Sequence, residues 1–349
     1  MKDANGMNLR QRDDLRILQP RAFGGAGQSL EVFLDAVHSA CQVSPSEGWL
    51  VAILGVHSIE VAEFGVHALA SIWGSDPLAL VASSLAPSGL IEDRGGQKVL
   101  TGHWRFSSGC AAADWFIVGA RSVAGRFVHV LVPARDLQVV ADSWTSDGMR
   151  GTGSHDIVGQ DILLDDWQVR DVVDLIDSQE HGSGRSLGFA YIFSLGVAAA
   201  TVATAERVLG LCEDHLLEEG VLSGPQYRRS RKVLYDLASA RFDLDSSWDY
   251  LRSQALLDER AVASANRLGE RRRLRARCNR VLSVNRAVEA AGRVYSHVGT
   301  SLKLPGSSLR ASWEDLMVAA SHKQNAFGDG VDPWVDLLSG SEWNRATFR

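Results

Sequence analysis

Apolar positions along this chain change period twice. From about Gln28 to Trp73 they recur with helical spacing, and Leu30, Phe33, Leu34 and Val37 stand at i, i+3, i+4 and i+7 of one face. Gly48 to Ala62 is a second apolar helical run. From about Leu78 to Val173 the pattern becomes strand-like. LALVASSL is a β-rich run. VLTGHWRFSSG alternates, so a period of two puts Trp104, Phe106 and Ser108 on one face and Ser107 on the other. DWFIVGARSVAGRFVHVLVPA predicts two strands around a turn at Val123-Ala124-Gly125, and DIVGQDILLDDWQV predicts a further pair. From about Ser186 the spacing is helical again. Segments run to Gly220, from Pro225 to about Arg267 and from Arg271 to Val298, with a last helix from Ser308 to about Asn325. Helices, a compact all-β unit and then a bundle of four helices predict an α+β chain in three parts, 1–76, 77–175 and 176–349.

Composition narrows the class. The chain has 349 residues, 45% of them apolar, which is enough for a sizeable core. A net charge of −6 gives no overall attraction to nucleic acid or anionic membrane. Cys41, Cys110, Cys212 and Cys278 are far apart, so buried reduced thiols are expected rather than a disulfide framework or a zinc site. The polar start MKDANGMNLRQRDD has no signal-like apolar core, and a cytoplasmic location is expected. Leu187 to Ala205 is uncharged for 19 residues, about the length that crosses a bilayer. Its Ala, Gly, Thr and Ser content fits a helix buried inside a bundle, so no membrane is expected. No P-loop, GxGxxG after a strand or paired-His metal motif occurs.

Several segments carry a resemblance. LQPRAFGG, WGSDP, ASSLAP, GHWRFSSGCAAADWFIVGA, WTSDGMRGTGSHDIV and SWEDLMVAASHKQN run in order from about Leu15 to Asn325. Together they resemble the oxygenase component of two-component, reduced-flavin-dependent monooxygenases of the acyl-CoA dehydrogenase superfamily, the aromatic and polyketide hydroxylase type. The resemblance implies an acyl-CoA dehydrogenase-like fold: a shortened N-terminal helical region, a central β-barrel-like domain and a C-terminal four-helix bundle. It implies reduced FMN, or alternatively FAD, supplied by a separate flavin reductase. It implies hydroxylation of an aromatic or polycyclic small molecule through a flavin C4a-hydroperoxide. It also implies a homo-oligomer, tetramer or dimer, assembled through the bundle.

The chemistry picks out residues within those motifs. A flavin that activates oxygen needs a dry pocket and a small neutral partner near N5, and a serine serves as both donor and acceptor. The resemblance assigns this place to Ser108, with Ser107 as second choice; the bland reading is a pair of turn serines before Gly109. Ser83 and Ser84, in ASSLAP, fall where the resembling enzymes line the pocket. A phenol needs a base, and histidine suits that role near neutral pH. His57, in ILGVHSIEV, and His322, in AASHKQN, stand at matching places. On a continuous helix, nine steps of about 100° put His322 opposite Trp313. A core histidine or an exposed helix-end histidine is the bland alternative. Arg150 is expected to brace the loop over the flavin, and Trp104 and Phe106 to wall it. The run from Arg267 to Arg280 reads as a solvated face paired with Glu, with a flavin phosphate or nucleic acid as the sharper alternatives.

The sequence departs from the resembling pattern in three places. Few residues precede LRILQPRAFGG, Ala311 and Glu314 flank Trp313 where basic residues are usual, and Glu218 and Glu219 make one bundle end acidic. Two other functions stay open. One is a flavin-free helper, binding or redox-neutral protein on the same fold. The other is an FAD-dependent acyl-CoA dehydrogenase, although no carboxylate base can be placed by motif.

Overall fold

The computed structural model describes residues 8–172, 187–218, 231–265 and 268–340. Short 3-10 turns at Leu9–Gln11, Asp13–Arg16 and Arg21–Phe23 lead into α1 (Leu30–Val43), α2 (Pro45–Leu54), α3 (His57–Glu63) and α4 (Val66–Trp73). Ser29 caps α1 by accepting the Val32 amide, and the expected stripe of Leu30, Phe33, Leu34 and Val37 is buried. Pro45 opens α2, where a missing amide costs nothing, and the whole of α2 is buried. A Cβ on Gly48 would stand 2.0 Å from Cys41 Sγ, so glycine lets α1 and α2 touch. The run read from Gly48 to Ala62 is two helices, broken at Gly55 and Val56.

Strands β1 (Val81–Arg94), β2 (Gln97–Ser107), β3 (Trp115–Arg121), β4 (Phe127–Pro133), β5 (Gln138–Val140), β6 (His155–Leu164) and β7 (Val169–Asp171) form one mixed sheet in the order β5-β6-β2-β1-β3-β4-β7. β1 and β3 pair in parallel and the other neighbours are antiparallel. β3 and β4 flank the expected turn, with Gly125 at φ 74°. β3 is buried on both sides. Phe116, Val118 and Ala120 face the main core, while Ile117 packs with Leu131, Val61 and Phe64 beneath α3 and α4. Burial on both faces explains its continuous apolar run. The pair expected in DIVGQDILLDDWQV is not a hairpin. β6 pairs with β2 and β5, whereas β7 crosses to β4, because a 3-10 turn at Asp166–Gln168, held by an Asp165/Gln168 capping box, redirects the chain.

The bundle comprises α5 (Phe189–Glu218), α6 (Arg231–Ala265), α7 (Glu270–Tyr295) and α8 (Ser308–Ala320). A further helix, α9 (Phe327–Ser339), lies beyond the last one expected and packs on α7. The uncharged Leu187–Ala205 stretch enters α5, whose most apolar window is 89% buried against the helices around it. All four cysteines are free and buried. The arginine run is in part the expected solvated face, with Arg271, Arg272 and Arg275 exposed. Arg272 bonds Asp258 rather than a glutamate, Arg271 lies over Trp334, and Arg280 is buried over Tyr191. Val173, Ser186, Glu219, Gly220, Pro225 and Arg267 fall outside the described residues, as do residues 174–176 with the expected boundary between the second and third parts.

Candidate functional site

Trp49 of α2 stands at the junction of the helices and the sheet. Its indole N–H donates to Ser108 Oγ at 3.2 Å. Ser108 follows β2 and precedes Gly109, whose φ of 72° turns the chain and whose amide donates to the Thr152 carbonyl at 2.9 Å. That contact brings the RGTGS turn alongside. Ser108 Oγ lies 2.9 Å from Ser154 Oγ, and Ser154 Oγ lies 2.7 Å from Thr152 Oγ1. The Thr152 hydroxyl donates to the Met149 carbonyl at 2.7 Å. Trp49, Ser108, Thr152 and Ser154 are all buried, and so is Ser107, whose hydroxyl has no hydrogen-bond partner.

The Trp49 ring also meets His322 edge to face, 5.5 Å between centroids. His322 is not on the helix where the wheel placed it. α8 ends at Ala320, and His322 caps a 3-10 turn at Lys323–Asn325, its Nδ1 accepting the Gln324 amide at 3.2 Å. The Asn325 side-chain amide pins that turn, donating to Thr201 Oγ1 and to the Ala319 carbonyl at 3.0 Å each. Trp313 stacks on Tyr295 at 4.4 Å, so the angular argument relating it to His322 does not apply. Burial pushes the His322 imidazole down to about 4, so it is neutral at ordinary pH. With Nδ1 accepting, its proton is on Nε2.

His57 is completely buried at the start of α3. Phe193 of α5 stands between the two histidines, 6.0 Å from the His322 ring and 6.5 Å from the His57 ring, and Phe189 stacks on His57 at 5.9 Å. Behind His57 lies the buried Glu60. Its Oε2 is 3.5 Å from His57 Nδ1, longer than a formed hydrogen bond, and its Oε1 is 2.6 Å from His129 Nδ1. Burial alone would raise the Glu60 carboxyl, but His129 and His57 outweigh it and hold the group below its ordinary value.

The loop beneath Ser108 is docked onto α8. Met149 adopts φ 54°, and its amide donates to the Asp315 carboxylate. A Cβ on Gly148 would come within 2.1 Å of the Glu314 carbonyl oxygen, so loop and helix backbones touch.

Of the residues singled out from sequence, the structure joins Ser108 and His322 through Trp49 and sets His57 one ring beyond, across Phe193. Ser83 and Ser84 are buried on β1, and Ser84 Oγ donates to the Arg105 carbonyl at 2.7 Å. Trp104 is core rather than a flavin wall. It is fully buried, its indole donates to the Gly119 carbonyl at 2.6 Å, and a Cβ on Gly89 or Gly102 would meet its ring. Phe106 does not share its face. Its φ of 63° at a register shift in the β2–β6 pairing turns the ring outward, 54% exposed, against Trp144 at 6.0 Å. Ser107 and Ser108 are consequently both buried. Arg150 is exposed and reaches Asp147 of the same loop at 3.2 Å. Trp49, Phe193, Glu60 and His129 went unnoticed in the sequence. Thr152 and Ser154 were visible only as part of a motif. Among the described residues no cluster of His, Cys, Asp or Glu is arranged to hold a metal ion.

Residues 193–327 match the acyl-CoA dehydrogenase, C-terminal domain family. The chain is 27% identical to a pigment production hydroxylase of Rhodococcus erythropolis, across 92% of this chain and 85% of that one. It is also 27% identical to a flavin-dependent monooxygenase, oxygenase subunit, of Rhodococcus jostii, across 91% and 86% of the two chains. The crystal structure of a 3-HSA hydroxylase from a Rhodococcus species superposes with a TM-score of 0.88 at 24% identity, covering 96% of this chain and 89% of that one, a likeness of fold.

Proposed function

We propose that the chain, which has the acyl-CoA dehydrogenase fold, is a flavin-dependent monooxygenase, the oxygenase component of a two-component system. It takes reduced FMN from a separate reductase and hydroxylates an aromatic or polycyclic small molecule. The observation that carries this reading is the double contact of Trp49, which donates to Ser108 and lies against His322. A flavin edge and a substrate thereby gain polar partners in one water-poor place. The residues present fit a flavin. Ser108 is buried with acceptor capacity left, and Ser107 Oγ is buried without a partner. When bound, the reduced flavin supplies activation of dioxygen at C4a and the oxygen atom to be transferred.

The chain's own residues do the rest. His57 Nε2 takes the proton of the substrate hydroxyl, with the Glu60 carboxylate 3.5 Å behind Nδ1. His322 Nε2–H donates to the oxygen left behind. Phe189 and Phe193 give the ring an apolar wall. The exposed Tyr235, Phe242 and Leu257 of α6 and Leu282 of α7 support assembly through the bundle as a dimer or tetramer. A cytoplasmic location suits a reductase-fed enzyme.

The test is an anaerobic titration with reduced FMN and reduced FAD, followed by NADH-driven turnover of a phenolic panel with and without an added flavin reductase. Tight binding of reduced FMN and product only with reductase are expected. Failure to bind either reduced flavin, with no product from any phenol, sinks the reading in favour of a flavin-free protein on this fold.

A further inference from the structure

Each hydroxyl carries one proton, and that fixes the direction of the chain ending at Ser108. The Met149 carbonyl can only accept, so the Thr152 Oγ1 proton, 2.7 Å away, points to it. In the next pair, also 2.7 Å apart, Ser154 Oγ must therefore be the donor to Thr152. Its proton committed, Ser154 accepts from Ser108 at 2.9 Å. Ser108 meanwhile accepts the Trp49 N–H at 3.2 Å. The donors run Trp49, Ser108, Ser154 and Thr152, and the Met149 carbonyl is the final acceptor. At its flavin-facing end Ser108 has no proton left and one lone pair free.

We propose that this directed chain makes Ser108 an acceptor only, so that the site selects reduced over oxidised flavin, with Thr152 as the residue that sets the proton direction. The proposal rests on the reading that Ser108 meets the flavin N5. Reduced flavin carries a hydrogen on N5 and can donate to the free lone pair. Oxidised flavin presents a lone pair at N5, and two lone pairs then face each other. Reversal is disfavoured at the far end, where it would leave Thr152 Oγ1 and the Met149 carbonyl oxygen 2.7 Å apart with no proton between them. Burial of all three hydroxyl side chains keeps water from re-orienting them. Trp49 occupies the second lone pair and so aims the remaining one.

Thr152→Val removes the only proton directed at Met149 O by a hydroxyl. Ser154 then has no acceptor at that end and can turn its proton to Ser108, freeing the Ser108 proton to point outward. The test is fluorescence titration of the full chain with oxidised FMN in air and reduced FMN under anaerobic conditions. Wild type is expected to prefer reduced FMN by about tenfold or more, the weight of one buried hydrogen bond made or lost. Thr152→Val is expected to lose most of that preference, chiefly by binding oxidised FMN more tightly, and Thr152→Ser to keep it. Ser108→Ala is expected to abolish it. A folded Thr152→Val protein with the wild-type ratio overturns the proton-direction argument while leaving the Ser108 contact intact. A Ser108→Ala protein with both affinities unchanged removes the contact itself and the inference with it. Should Thr152→Val not fold, nitrogen NMR of wild type holding reduced FMN labelled at N5 decides: an N5–H signal shifted by hydrogen-bond donation supports the proposal, and an unbonded N5–H overturns it.

Discussion

Trp49 and His322 meet edge to face, 5.5 Å between ring centroids at an interplanar angle of 68°, and the same indole holds Ser108. One side chain therefore ties the N-terminal helices to the end of β2 and to the turn after α8.

Trp49→Phe keeps most of the ring and removes the N–H. The lost hydrogen bond is expected to cost about 1 kcal/mol of stability. The larger expected effect is on coupling, because Ser108 is no longer aimed and the pocket is less well closed. Oxygen uptake is expected to persist while product per oxygen falls and hydrogen peroxide rises. Parallel measurement of oxygen, peroxide and product checks this; unchanged coupling would show that the indole N–H serves packing alone.

Burial holds His322 near 4, against an ordinary 6.5. The folded chain thus refuses a proton that the unfolded chain binds between those two values. Stability is full above pH 6.5, falls as pH drops toward 4, and levels off below that. Thermal melts of wild type and His322→Asn across this window are expected to converge as the pH falls, because only wild type loses this contribution. An NMR titration placing His322 at its ordinary midpoint would falsify the burial argument.

Much of the architecture was legible in the chain. Leu30, Phe33, Leu34 and Val37 mark a buried stripe because helix period and burial share one cause. Of the hydroxyl cluster, Ser108 was singled out at the end of β2, whereas Thr152 and Ser154 were visible only as part of the RGTGS motif. What was hidden depends on tertiary contacts. A tryptophan in an apolar helix reads as core, and nothing local shows that the Trp49 N–H meets a serine 59 positions away. Glu60 and His129 stand 69 positions apart. The last turn of α8 stops before His322 because Asn325 reaches back to the Ala319 carbonyl and across to Thr201, which no breaker residue announces. Phe106 left its alternating face where the pairing of β2 with β6 shifts register.

Glu60→Gln tests the support behind His57. The amide can no longer favour a proton on Nδ1 as a carboxylate does, so Nε2 is less available as a base. A fall of about 100-fold in kcat/KM for phenols is expected. In a His57→Asn background the same change is expected to do little further, because the two residues act as a unit. Full additivity in that cycle would limit Glu60 to holding His129.

Two glycine variants separate loop docking from helix propensity. Gly148→Ala places a Cβ 2.1 Å from the Glu314 carbonyl oxygen, and two backbones cannot both stay in place. The loop must lift from α8, stretching the bond from the Met149 amide to Asp315 and disturbing Thr152 and Ser154 beyond it. A loss of about 1–3 kcal/mol is expected, with weaker binding of reduced FMN. Gly210, within α5, has nothing within 4 Å of the place a methyl group would take, so Gly210→Ala meets no clash. Helix propensity alone then raises stability by about 0.5–1 kcal/mol and leaves flavin affinity unchanged. Chemical denaturation and FMN titration of both variants check the pair. If Gly148→Ala binds reduced FMN as wild type does, the loop's seat on α8 does not govern the geometry at Ser108.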